Sequence, residues 1–166
     1  MTLQESLLPD FDEETASARR LLERVPPDDM PWTPHDKSFT LGQLSMHLAR
    51  LISWGRTILD DEFYDLASGG GDAPGSDASH EDILATFDDN SAKVRAILTN
   101  KSEAELLSLW ELRRGSTVLM SIPRVAAFRR FVLHHLVHHR GQLSVYLRLR
   151  NVPIPPIYGP TADERM

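Results

Sequence analysis

Apolar residues recur every three or four positions along four long stretches of this chain, which is the spacing of helices that bury one face. Segments rich in proline, glycine and aspartate separate these stretches and interrupt the pattern. The spacing therefore predicts an all-α protein, a four-helix bundle with long loops. The four predicted helices cover residues 7–25, 40–58, 79–98 and 124–150.

Two connections between the predicted helices are long. Residues 60–79 contain three consecutive glycines and several acidic residues, and they predict a long exposed loop. This loop is not a phosphate-binding loop, because it lacks the lysine and the preceding strand that such a loop requires. Residues 102–122 show poor periodicity and predict either a short hairpin or a structured crossover before the last helix.

The length and the absence of cysteine limit the kinds of protein that the chain can be. We expect a single domain over residues 1–166, since this length supports one core. The chain has no cysteine, which excludes disulfides, thiol nucleophiles and cysteine-based zinc sites. No apolar run reaches the ~18 residues of a membrane span and the N-terminus lacks signal-peptide features, so we expect a cytoplasmic protein without a membrane partner.

Charge is distributed unevenly along the sequence. Residues 1–90 carry 19 acidic and 6 basic side chains, whereas residues 91–166 carry 5 acidic and 12 basic ones. The two parts therefore have net charges of -13 and +7, but the cations are dispersed and not interleaved with aromatic residues. This pattern favours packing between helices of opposite charge, and we expect no nucleic-acid partner.

Four of the seven histidines lie in the segment HHLVHH at residues 134–139. Two pairs in this segment have the i, i+4 spacing that places two imidazoles about one turn apart on one helical face. At ~100° per residue, His135 and His139 fall in or beside the apolar stripe, whereas His134 and His138 fall on the opposite side. The pair that faces the bundle interior is therefore predicted to be His135 and His139.

A third histidine, His47, lies near the edge of the apolar face of the second predicted helix. One inward histidine is usually a hydrogen-bonded core residue, but three unpaired imidazoles are costly to bury unless they share a partner. We therefore predict that His47, His135 and His139 bind one metal ion. Three protein ligands leave an open position, which is typical of catalytic rather than structural sites.

The segments SFTLGQLSMHLARL and HHLVHHRGQLSVYLRLRNVPIPPIYGPTADE closely resemble the DinB family of the DinB/YfiT-like metalloenzymes. The resemblance implies a four-helix bundle, usually a homodimer, with a zinc or nickel ion on His47, His135 and His139. Relatives include transferases and isomerases that use low-molecular-weight thiols, and some members are induced by DNA damage. In the matched string we expect Arg140 to pair with a carboxylate from the acidic half and Gly141 to allow close helix approach.

Two functions from different classes remain open at this point. The first is a metal-dependent enzyme, a thiol-dependent S-transferase or a hydrolase, in which a metal-bound water or thiol attacks a small-molecule substrate. Trp54 and Tyr64, with the loop at residues 60–79, would shape its pocket, and His138, Arg140 and Gln142 would lie in the pocket or beside the ligands. The alternative is a non-catalytic metal-binding protein of the stress response.

Overall fold

The computed structural model describes residues 2–68 and 78–165, which are mostly helical. None of the helices in these two ranges is both long enough and apolar enough to cross a bilayer. In chain order the helices and strands are α1 (Leu3–Glu23), α2 (Leu41–Leu51), α3 (Trp54–Asp60), β1 (Phe63–Asp65), α4 (His80–Thr99), α5 (Glu103–Leu107), β2 (Leu109–Arg114), β3 (Thr117–Pro123), α6 (Arg124–Phe128) and α7 (His134–Leu149).

The longer helices α1, α2, α4 and α7 surround a common apolar core. Helices α1 and α2 each contact both α4 and α7, so the four helices close a ring around that core. Helices α1, α2 and α4 each begin with a capping box. In each box a threonine or serine side chain at the N-cap accepts from the N3 backbone N–H, and the N3 side chain accepts from the N-cap backbone N–H. The predicted helical bundle is therefore present as the main part of the fold.

The expectation of an all-α fold is wrong, because a three-stranded sheet packs against one end of the bundle. Strands β2 and β3 form an antiparallel hairpin whose turn contains Gly115 at a φ of 58°. Of the two alternatives for residues 102–122, the hairpin is the correct one, and the short helix α5 precedes it. Strand β1 pairs with β2 in parallel, with Tyr64 opposite Leu112.

The expected exposed loop at residues 60–79 is therefore partly ordered by the sheet. Phe63–Asp65 forms the strand β1, and Leu66–Ser68 forms a single 3-10 turn after it. The Asp65 carboxylate accepts from the backbone N–H groups of Ala67 at 2.8 Å and Gly115 at 2.9 Å, which holds the strand end against the hairpin turn. The glycine triplet and the residues up to 77 lie outside the described residues.

The second predicted helix does not run without interruption to Ile58. It ends at Leu51, and a separate helix, α3, begins at Trp54. The Ser53 hydroxyl donates to the carbonyl of Arg50 at 2.7 Å, which competes with the regular helical hydrogen bonds at this point. After the break, Gly55 approaches α4 so closely that a Cβ built on it would lie 2.6 Å from Val94 Cγ1.

We expect the Gly55→Ala substitution to destabilise the protein. The added methyl group would also lie 3.2 Å from Phe128 Cε2, so both the helix and its neighbours would have to move. Overpacking of this kind costs ~1–3 kcal/mol, which outweighs the gain of up to ~1 kcal/mol from the higher helix propensity of alanine. Thermal unfolding should show a midpoint several degrees lower, at roughly 2–4 °C per kcal/mol.

Gly141 on α7 provides the matched control. The expected close helix approach at Gly141 is not present, because a Cβ there would have no neighbour within 4 Å in the described structure. Gly141→Ala should therefore raise the midpoint slightly through helix propensity. A lower midpoint for Gly141→Ala, or an unchanged one for Gly55→Ala, would contradict the packing argument.

The last predicted helix contains a π-helical turn at Arg129–Leu133 that joins α6 to α7. Such a turn adds one residue to the regular helix and is often found at functional sites. The helix ends where predicted, since Asn151 adopts a positive φ of 59° that stops it. The π turn therefore lies directly before the histidine segment.

Candidate metal centre

His47, His135 and His139 come together between α2 and α7. The Nε2 atom of His47 lies 3.5 Å from that of His135 and 3.0 Å from that of His139. The Nε2 atoms of His135 and His139 are 2.9 Å apart, as expected for side chains one turn apart on the same helical face. In the described part of the chain these three residues form a group that could hold a metal ion.

The nitrogen separations agree with those of imidazoles around one divalent ion. Three nitrogens at ~2.0–2.1 Å from a zinc ion lie ~3.3–3.4 Å apart at tetrahedral angles and ~2.9 Å apart at the right angles of an octahedral ion. The observed separations of 2.9, 3.0 and 3.5 Å cover this interval. The three side chains therefore fit a metal without rearrangement of the helices.

A hydrogen bond to Gln142 fixes the orientation of His139. The two atoms are 2.7 Å apart, and the imidazole Nδ1–H donates to Gln142 Oε1 in the tautomer that leaves Nε2 with a free lone pair. Histidines that bind metals almost always have such a partner on the other nitrogen. Burial lowers the pKa of His139 to about 4, so the imidazole is neutral at neutral pH and available as a ligand.

All three histidines are half-buried, so the site is accessible from outside the core. The metal-ligating group found in the described residues contains no carboxylate. A metal in this site would thus keep its full positive charge and at least one position free for another molecule. The Phe39 ring lies 5.7 Å from the His47 ring and covers one side of the group.

The other pair of histidines with i, i+4 spacing lies outside the converging group. His134 and His138 are both exposed to solvent, although the His138 ring lies 4.7 Å from the ring of His139. The three Nε2 atoms that converge belong to other residues.

The remaining predicted site residues divide into two groups. Trp54 and Tyr64 contact each other with ring centroids 4.8 Å apart, and Trp54 also packs at 5.8 Å against Phe131, one turn before His135. Arg140 is instead buried and paired with Glu14, which confirms the expected partner from the acidic half. Its guanidinium also lies over the Tyr158 ring, 4.8 Å from the centroid.

Phe39 and Phe131, which contact His47 and Trp54, were not identified as site residues from the sequence. Phe131 precedes His135 by four residues, but it lies in the π turn at Arg129–Leu133, where the regular helical spacing does not give the direction of a side chain. Phe39 gave no signal either, because its position depends on where α2 begins.

Comparisons with known proteins bear on the family and the fold of the chain. A family model described as the DinB superfamily matches residues 10–143. A DinB-like protein from Bacillus cereus shares 21% identity, with a TM-score of 0.70 over 93% of this chain and 97% of that one. A DinB-like protein from Bacillus subtilis shares 18% identity, with a TM-score of 0.71 over 97% of this chain and 99% of the other.

A more distant structural match is the mycothiol-dependent maleylpyruvate isomerase. It shares 12% identity, with a TM-score of 0.57 over 93% of this chain and 67% of the isomerase chain. At these identities the three structures show a common fold. No curated protein matches the sequence.

Proposed function

The chain belongs to the DinB superfamily, and we propose that it is a divalent-metal-dependent enzyme that acts on a small molecule. Its ligands are His47, His135 and His139, and zinc or nickel is the metal. The observation that carries this proposal is the approach of three Nε2 atoms to within 3.5 Å of one another.

The chemistry of the site follows from its neutral ligands. A divalent ion held by three neutral imidazoles supplies a positive charge that lowers the pKa of a water or thiol beside it. His139 keeps its Nε2 lone pair directed to the centre because Gln142 holds the opposite nitrogen. The Phe39 ring packs beside His47 and supplies an apolar neighbour to the site.

We propose either a thiol-dependent S-transfer or a hydrolysis as the reaction. The chain has no cysteine, so any attacking thiol must come from a low-molecular-weight cosubstrate. The name of the mycothiol-dependent structural neighbour supports the thiol reaction, although at 12% identity that neighbour shares only the fold.

We expect His47→Ala to abolish turnover while the protein remains folded. The proposal is tested by metal analysis of protein purified without a histidine tag, followed by turnover of electrophiles with and without added thiols. His47 is half-buried and lies at the edge of the core, so its removal should leave the helical content unchanged by circular dichroism. Metal-loaded wild type should be active, and metal-free wild type and His47→Ala should not.

The matched control for this experiment is His35→Ala. His35 is exposed in the loop before α2, and its Nδ1 atom and backbone form hydrogen bonds within that loop. Its replacement should change neither metal content nor turnover. Equal rates in metal-loaded, metal-free and His47→Ala protein would instead favour a non-catalytic metal-binding protein.

We also expect a homodimer with two-fold symmetry, the default for such assemblies. Helix α7 exposes Val145 and Leu149 on one face, and both side chains are more than half exposed, at 58% and 55%. Light scattering at micromolar concentration should give about twice the chain mass of 18.7 kDa. A mass near that of one chain would contradict this expectation.

A further inference from the structure

A group of half-buried apolar side chains lies where α3, the sheet and the π turn before the histidine segment meet. We call this group the aromatic wall, and it consists of Trp54, Tyr64, Phe131 and Met120. The Trp54 ring contacts Tyr64 at 4.8 Å and Phe131 at 5.8 Å between centroids. None of the four side chains is fully buried, whereas the neighbouring Trp110 is 0% exposed.

The sheet register explains how the wall forms. Tyr64 on β1 is paired with Leu112 on β2, and Leu112 is paired with Met120 on β3, so the three side chains point to the same face of the sheet. That face is directed at the bundle, because Trp110, two residues before Leu112, is buried there against Phe131 at 5.9 Å. The wall therefore joins the sheet to the helix that carries His135.

Arg130 lies at the edge of the aromatic wall and is exposed. Its guanidinium is 5.4 Å from the centroid of the Phe131 ring, and its Nη1 atom is 3.9 Å from Met120 Sδ. No ion pair joins Arg130 to a carboxylate of residues 2–68 or 78–165, whereas Arg19, Arg24, Arg95, Arg140, Arg148 and Arg150 are all paired. Contacts with the Met120 thioether and the Phe131 ring face leave most of the five N–H donors of Arg130 available.

We propose that the aromatic wall and Arg130 bind an aromatic or similarly flat carboxylate. The flat body lies against Trp54 and Phe131, and the carboxylate accepts hydrogen bonds from the guanidinium of Arg130. If the proposed function is correct, the bound molecule is the substrate of the metal centre, and the inference rests on the proposed function in that respect. Binding itself does not require the metal, because it uses Arg130 and the aromatic wall.

The arrangement matches this class of molecule in both shape and charge. Aromatic side chains prefer offset or tilted contacts with another flat ring, and the rings of the wall are already tilted by 31° to 40° from one another. A guanidinium presents a planar fork of donors that fits a carboxylate with two parallel hydrogen bonds. The molecule would lie about one turn from His135 along the helix axis, since Phe131 belongs to the π turn that leads directly into α7.

The test compares a charged probe with its neutral counterpart. Binding of 4-fluorobenzoate and 4-fluorobenzamide is measured by fluorine NMR titration of zinc-loaded and metal-free protein. Measurements on metal-free protein distinguish binding of the carboxylate to Arg130 from its direct binding to a metal ion. The variants are Arg130→Gln, Trp54→Leu and, as the control, Arg114→Gln, which removes an exposed arginine at the hairpin turn.

In metal-free protein we expect 4-fluorobenzoate to bind more tightly than 4-fluorobenzamide. Arg130→Gln should weaken the benzoate by about tenfold or more, as for a lost charged hydrogen bond, and should leave the benzamide unchanged. Trp54→Leu should weaken both probes by about threefold to tenfold. Arg114→Gln should behave like wild type.

Equal binding of the two probes, or equal benzoate binding by wild type and Arg130→Gln, would overturn the inference, as would the absence of benzoate binding. Failure of the proposed function gives a different result. If the protein holds no metal but binds benzoate through Arg130, the binding site stands and the metal-dependent reaction does not.

Discussion

We expect His139→Ala protein to contain almost no metal. The substitution removes one of three converging nitrogens, and the two that remain, on His47 and His135, are 3.5 Å apart without a third ligand. Loss of a residue that hydrogen-bonds to a metal ligand typically lowers metal affinity ~10–100-fold. Loss of the ligand itself should therefore lower the affinity by more than this. Metal content by mass spectrometry and affinity by chelator competition would measure the effect.

The same helix offers graded controls for this substitution. His138→Ala and His134→Ala should keep wild-type metal content, because both side chains are exposed and neither belongs to the converging group. Gln142→Ala should lie between these variants and His139→Ala, since it removes only the acceptor of His139 Nδ1. An empty site in His138→Ala together with a filled one in His139→Ala would show that the wrong pair has been assigned.

A large loss of stability is expected for Glu14→Gln. Arg140 is 2% exposed, and its guanidinium pairs with the Glu14 carboxylate, which also accepts from the Tyr158 hydroxyl at 2.7 Å. Removal of one partner of a buried ion pair costs ~3–5 kcal/mol, because the other charge stays buried without compensation. The contact between Arg140 and the Tyr158 ring and the partial exposure of Glu14 place the effect at the lower end, about 3 kcal/mol.

Urea unfolding would measure this effect, with Glu13→Gln as the matched control. Glu13 is the exposed neighbour of Glu14 on α1, so its replacement should change the free energy of unfolding by less than ~0.5 kcal/mol. Equal unfolding midpoints for the two variants would mean that the buried pair contributes nothing.

Helices were predictable from the sequence where a cap and an apolar period agreed. Thr40 with Gln43 and Ser79 with Asp82 form capping boxes, and α2 and α4 begin at the next residue. The sheet was not predictable in the same way. Phe63–Asp65 is only three residues long and becomes a strand because distant β2 supplies its hydrogen bonds.

The histidines of the candidate site were predictable from the sequence, whereas the residues of the π turn before them were not. His135 and His139 share a regular stretch of helix, so their common face follows from spacing alone. Arg130 and Phe131 belong to the π turn, where a period of 3.6 residues no longer gives the direction of a side chain. The break before Trp54 similarly coincides with a hydrogen bond from the Ser53 hydroxyl to the Arg50 carbonyl, which the apolar period does not indicate.

The parallel pairing of β1 with β2 also has a consequence for the order of folding. Two complete helices, α4 and α5, separate these strands in the sequence, whereas β2 and β3 are joined by a tight turn. Bringing β1 to β2 closes a longer chain segment than forming the hairpin does, and this costs more conformational entropy. Because that cost slows the pairing, we expect β1 to join the sheet after α4 has packed. Substitutions in β1 should therefore accelerate unfolding and leave the folding rate nearly unchanged. Tyr64 would then take its place beside Trp54 in the last step of folding, so the wall beside the histidines is completed only when the rest of the molecule is already native.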